Sequence, residues 1–224
     1  MSKLLSLKKV SFYYNKGKPI LEDINLDLYA HEIICILGAN GAGKSTLLKV
    51  IAGIAEFQGE LHFKNNPVDN LNEYKRNIAY IPSNHLLYDI LTGKENLELI
   101  RNLWDVPKKL FWGNVSFYSD KLGMNQHLET RIEHYSEGMK DKLFFIGSIS
   151  KQPDLLLLDE PFMSWDIQSQ KTVIDLIKKY KEEYAKSIII ITHSEHLRET
   201  LADKAYLIQD TKLINTFSSE GLLN

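Results

Sequence analysis

Nine residues constrain this chain more than any others: Gly38-Ala39-Asn40-Gly41-Ala42-Gly43-Lys44-Ser45-Thr46. They match G-x-x-x-x-G-K-[ST], the spacing of a phosphate-binding loop. The flanks are those the loop requires. Glu32–Leu37 is a short apolar run that reads as a buried strand, and Leu47–Gly53 reads as a helix with a glycine stop. Strand, glycine loop and helix commit the chain to an α/β arrangement. Glycines let the backbone curl and aim N–H groups at phosphate oxygens, and the helix start adds partial positive charge. Gly38, Asn40, Gly41, Ala42, Gly43 and Thr46 are therefore candidate nucleotide contacts. Lys44 is placed for the β- and γ-phosphates, and Ser45 for a Mg²⁺ ion. The competing reading is a glycine-rich turn with a chance lysine.

The rest of the chain supports the α/β reading. Leu4–Tyr14 alternates loosely and predicts an early strand, followed by a turn at Asn15-Lys16-Gly17-Lys18-Pro19. Ile24, Leu26 and Leu28 alternate with Asn25 and Asp27, as in a half-buried strand. These two strands precede the loop and predict an antiparallel sheet beside it; Glu60–Phe63 reads as a further short strand, followed by a turn at Lys64-Asn65-Asn66-Pro67. Asn77–Ile81 reads as a core strand stopped by Pro82.

Between Ser83 and Ser150 the pattern turns helical. Glu95, Leu97, Ile100 and Trp104 predict one helix, ended by Pro107. Phe111, Val115, Tyr118 and Leu122 mark an amphipathic second one. Trp112 and Phe117 lie off that stripe, where they either pack within the lobe or dock a partner. Leu155–Leu158 and Ile188–Ile191 are buried strands around a helix over 166–184, with Val173, Ile177, Tyr180 and Tyr184 on one side. Ser194 is placed to cap a short helix, and a closing hairpin pairs Ala205–Ile208 with Leu213–Phe217. Alternating buried strands and helices imply a largely parallel core.

Two further stretches carry chemistry. Asp159 and Glu160 follow four leucines, so a buried strand delivers them to the sheet edge where ligands bind. Asp159 is placed to hold Mg²⁺, and Glu160 to polarise an attacking water, unless the pair is only a solvated turn. Tyr135-Ser136-Glu137-Gly138-Met139 opens a helical pattern in which Ser136 is the candidate N-cap. It is an ordinary capped helix, or a second phosphate-binding helix start that serves another subunit's nucleotide. His193, after the last buried strand, is a surface histidine or a γ-phosphate ligand.

Composition sets bounds. With 224 residues and 44% apolar content there is material for one large domain or for one domain with an inserted lobe. The formal net charge of −2 gives no basic field for nucleic acid, and none is expected as a partner. The apolar runs are too short to span a bilayer, and the N-terminus has no secretion-type apolar stretch, so a cytoplasmic location is expected. Cys35, the sole cysteine, sits in a predicted buried strand as an inert core thiol.

Taken together, the motifs resemble those of the ATP-binding cassette (ABC) ATPases, nearly end to end. Gly38–Thr46 is similar to their Walker A loop, Tyr135–Met139 to the signature motif, and Leu155–Glu160 to Walker B with its catalytic glutamate. Ser164-Trp165-Asp166 occupies the D-loop, His193 matches the switch histidine, and Tyr14 (with Tyr13 beside it) the aromatic that stacks on adenine. The resemblance implies a P-loop NTPase core with an antiparallel β subdomain, from residues 1–82 and 151–224, and an inserted helical subdomain at 83–150. It implies Glu160, His193 and Lys44 as catalytic residues. Ser136, Gly138 and Met139 would contact nucleotide held by a second cassette, in a homodimer or heterodimer. It also implies a separate membrane-spanning permease, with this chain peripheral on the cytoplasmic face.

Departures are visible. Ser83 stands where the family has a metal-contacting Gln; a water could bridge from it to Mg²⁺, and neighbouring Asn84 is a substitute. Glu137 adds negative charge to the signature, Phe162 and Met163 are bulkier than usual, Trp165 is expected in the dimer seam, and His31 replaces a Gly. The Tyr-Ser-Glu-Gly-Met spelling and short C-terminal tail point, by analogy, to an exporter without a regulatory domain. A non-transport ABC ATPase and a nucleotide-switched binding module are the rival readings.

Overall fold

A computed structural model describes residues 2–14, 17–84 and 87–218, the last two by backbone only. Asn15 and Lys16 of the expected turn, and the C-terminal tail, lie outside the described residues. The strands and helices run β1 (Lys3–Phe12), β2 (Leu21–Tyr29), β3 (Ile33–Gly38), α1 (Lys44–Ile51), β4 (Gln58–Phe63), β5 (Asn66–Pro67), α2 (Leu71–Arg76), β6 (Ile78–Ile81), α3 (Gly93–Leu103), α4 (Lys108–Lys121), α5 (Glu137–Ser150), β7 (Leu155–Asp159), α6 (Ile167–Glu182), β8 (Ser187–Ile191), α7 (Glu195–Leu201), β9 (Lys204–Gln209) and β10 (Lys212–Ser218).

The all-apolar runs became the centre of a six-stranded sheet, ordered β10-β9-β3-β8-β7-β6. All its pairings are parallel except β9 with β10. Because strand side chains alternate between faces, each run feeds two cores. Leu155, Leu157, Ile189 and Ile191 pack with α1 and the second sheet, while Leu156, Leu158, Ile188 and Ile190 pack with α5 and α6. The second sheet is antiparallel, in the order β2-β1-β4-β5. Lys64 and Asn65, both at positive φ, form the turn between β4 and β5.

Register sets what meets at the sheet edge. Ile36 of β3 and Asp159 of β7 are both level with Ile191 of β8, the strand between them. The glycine loop that follows β3, Asp159 at the end of β7 with Glu160 after it, and Thr192-His193 after β8 therefore emerge together on the C-terminal edge.

The helical stretch holds α3, α4 and α5. Thr92 and Glu95 form a reciprocal capping box that starts α3. Phe111, Val115, Tyr118 and Leu122 are all buried, as their spacing predicts. Trp112 is half-buried and its indole N–H donates to Glu98 (2.9 Å), whereas Phe117 is exposed.

Two expectations change, and one element is new. Trp165 is not available to a dimer seam: it is only 5% exposed and packs edge-on against Phe145 and Phe162. Its size suits a pocket inside the chain. Tyr184 lies past the end of α6 and is exposed, and Tyr180 carries the packing, its hydroxyl donating to Pro153 O (2.6 Å). Helix α2 was not foreseen; Asn70 caps it by accepting from the N–H groups of Asn72 and Glu73.

Lys151 closes α5. Its ammonium is buried, donates to Lys75 O (3.1 Å) and Ile78 O (2.5 Å), and lies 3.7 Å from the centroid of the Trp104 ring. Burial pushes its pKa down to about 7. The unfolded amine holds its proton up to about 10.4, so between these values the unfolded state binds more protons and stability rises with pH. Lys151→Met should abolish that rise. The stability difference, mutant minus native, should fall by up to ~1.4 kcal/mol per pH unit from pH 7 towards 10. Urea unfolding at each pH measures it.

Candidate functional site

The glycine loop curves around a lysine of the following helix. Lys44 is buried, and its Nζ donates to Gly38 O (2.9 Å) and Ala39 O (3.1 Å). An ammonium has three protons, so one donor remains for an anion. Gly43 sits at the helix N-cap position with φ 101°, where a Cβ would meet Ile20 Cγ2 at 3.0 Å. Gly38, at φ 150°, lies so close to β9 that a Cβ would fall 2.9 Å from Ile208 O. Both positions demand glycine on conformational and steric grounds. Asn40 and Gly41 are exposed at the loop tip, Ala42 is half-buried, and Thr46 is buried. Tyr14 stands over this end of the site: its hydroxyl is 3.3 Å from Thr46 Oγ1, its ring packs edge-on to Phe12, and it stays 65% exposed.

Asp159 is buried and held from both sides. Ser45 Oγ donates to Oδ1 at 3.0 Å, and Tyr80 OH donates to Oδ2 at 3.2 Å. The first distance tests the site for Mg²⁺. Adjacent ligands of an octahedron with bonds of about 2.05 Å lie about 2.9 Å apart. The Ser45–Asp159 pair matches that edge, and both atoms are the hard oxygens this ion prefers. Among the described residues no group of three or more His, Cys, Asp or Glu side chains could cage a metal by itself. A two-oxygen site of this kind is completed by substrate phosphates and water. Ser83 lines the same small cleft as Asp159 and Glu160.

Glu160 is in the left-handed region at φ 50°, its N–H donating to Ile191 O (3.0 Å). His193 meets its carboxylate twice: Nε2 is 3.1 Å from Oε1, and the backbone N–H donates to Oε2 at 3.3 Å. The structure thus gathers Lys44, Ser45, Asp159, Glu160 and His193 at one sheet edge.

The Ser136 start of α5 is placed otherwise. Ser136 is exposed and accepts from Met139 N–H (3.3 Å) as an N-cap. Gly138 abuts the segment after the acids, where a Cβ would be 2.7 Å from Ser164 O. Ser164 Oγ also bonds Asp141, and Lys142 pairs with Asp166 at 2.8 Å, which holds that carboxyl well below its usual range. Met139 is half-buried against the core. Glu137 is exposed and pairs with Lys140 at 3.4 Å, so its charge is offset within its own helix turn. His31 has φ 64°, which explains how it stands in for a glycine: polar side chains tolerate that region better than branched ones.

Sequence reasoning missed Tyr80 as a partner of Asp159. Its only signal was the strand register, which sets Tyr80 beside Leu157, two residues before the acid on the same face.

Comparison with known proteins gives the class. The family model described as ABC transporter matches residues 21–163, and the chain belongs to this family. It is 26% identical over 99% of its length to the spermidine/putrescine import ATP-binding protein PotA of Borreliella afzelii, spanning 64% of that protein. It is 29% identical over 95% of its length to the ergothioneine transport ATP-binding protein EgtV of Helicobacter pylori, spanning 100% of it. A solved structure described as the ATP-binding subunit of an ABC transporter aligns with a TM-score of 0.87 at 26% identity, over 94% of this chain and 88% of that one. The polyamine relative is named for import, so the exporter-type assignment drawn from the signature spelling gains no support from it.

Replacing Gly38 by Ala should force β9 and the loop apart. A loss of about 1–3 kcal/mol is expected, seen as a melting temperature lower by several degrees, together with weaker nucleotide binding. Differential scanning fluorimetry with and without ATP measures both.

Proposed function

We propose that the chain is the ATP-hydrolysing subunit of an ABC transporter, pairing with a second cassette and acting on a separate membrane-spanning permease. The observation that carries this is the convergence of Lys44, Ser45, Asp159, Glu160 and His193 at the ends of three adjacent parallel strands. In this reading the loop N–H groups of residues 38–46 and Lys44 hold the triphosphate, and Tyr14 stacks on the adenine. Ser45 and Asp159, with Ser83 through a water, would hold Mg²⁺, which would supply positive charge against the transferring phosphoryl group. Glu160 accepts the proton of the attacking water as the bond from γ-phosphorus to the ADP oxygen breaks. His193 fixes the Glu160 carboxylate and reaches the γ-phosphate.

The Ser136 helix start, with Gly138 and Met139, would grip the γ-phosphate held by the second cassette. Residues 83–150 would then move as a helical lobe against a core of 1–82 and 151–224. Among the described residues no helix is long and apolar enough to cross a membrane, in keeping with a permease on another chain. Such a chain would work at the cytoplasmic face, attached through that partner. The signature chemistry is the same whichever way cargo moves, so the site favours neither import nor export.

Glu160→Gln should keep ATP binding, lower phosphate release at least about a hundredfold, and trap an ATP-dependent dimer in size-exclusion chromatography. Undiminished release would remove Glu160 from the role of base. Lys44→Ala should raise the ATP dissociation constant measured by calorimetry; an unchanged value would count against the phosphate loop itself.

A further inference from the structure

The acid that would face the divalent ion also accepts a hydrogen bond from Tyr80, to which no motif gives a role. Asp159 is 3% exposed, and its two oxygens are divided between Ser45 and Tyr80. The Ser45 contact is exchanged when a cation takes both oxygens. The Tyr80 contact need not be, because it engages the opposite oxygen. Rotation about the last side-chain bond makes the two carboxylate oxygens interchangeable unless one is pinned.

We propose that Tyr80 is a positioning residue for Asp159: its hydroxyl, donating to Oδ2, fixes the carboxylate so that Oδ1 faces the ion held with Ser45. This rests on the ATP–Mg²⁺ reading of the site. A phenol hydroxyl has one proton to donate, and here it is directed at Oδ2 from 3.2 Å. Position matters as well. Tyr80 lies on β6, the edge strand of the parallel sheet, and borders a groove of about 410 Å³ that Tyr88, Leu99, Trp104 and Phe144 also line. One residue therefore touches both the groove and the metal acid, where Ser83 has only a short side chain.

Tyr80→Phe removes one oxygen and keeps the ring. Mn²⁺ would be titrated into the ATP-loaded full-length chain and followed by electron paramagnetic resonance. ATP affinity in EDTA would be measured in parallel. The variant should bind Mn²⁺ about 10-fold or more weakly, keep its metal-free ATP affinity within about 2-fold, and regain turnover as Mg²⁺ is raised. Native-like Mn²⁺ affinity overturns the proposal. So does an equal loss of metal-free ATP binding, which would make Tyr80 a structural residue. If the native chain shows no metal-dependent ATP binding, the reading of the whole site fails too, so the two failures are told apart.

Discussion

The contact between Ser45 Oγ and Asp159 Oδ1 joins residues 114 positions apart, and the architecture exists to make it. No local propensity brings these groups together. It takes β3 and β7 on either side of β8, all pointing the same way, with Ile36 and Asp159 level with Ile191. A register slip of one residue would turn Asp159 to the other face of the sheet. The unbroken isoleucine and leucine runs prevent that indirectly, because both faces are already filled by two distinct cores. The sheet is thus a ruler, and the site is read off its end.

Beyond β7 the chain must turn away without losing its grip on Glu160. Glu160 and Phe162 both take left-handed backbone conformations there, a cost of about 1–3 kcal/mol each that surrounding packing has to offset. Phe162 and Trp165 insert against Phe145 of α5, and Lys142 of that helix pairs with Asp166. The turn that carries the candidate base is therefore fastened to the helix that begins at Ser136. A displacement of one is transmitted to the other through buried aromatic rings, which are close to incompressible.

Much of this was legible because it is local. The glycine loop, the four-leucine strand with its acids, the caps at Ser136 and Ser194 and the spacing of Phe111, Val115, Tyr118 and Leu122 are patterns a short window contains. What escaped was either too short or too distant. Helix α2 has six residues and buries only Tyr74, so no periodicity could show it, although Asn70 followed by Glu73 is a readable cap. Trp165 was misplaced because bulk beside a motif reads equally well as surface or core until its neighbours are known. The partnership of Tyr80 with Asp159 depends on which strands adjoin, and sheet order is the least local property of an α/β chain.

Cys35 has a practical consequence. It lies in the middle of β3 with no exposed surface, and burial pushes its thiol up to about 12. The single native sulfhydryl is therefore silent towards maleimides and methanethiosulfonates while the molecule stays folded. Spin labels or fluorophores can be installed at chosen surface positions without first rebuilding the interior, and distances between them followed as nucleotide is added. A strand interior has thereby left the protein ready for spectroscopy.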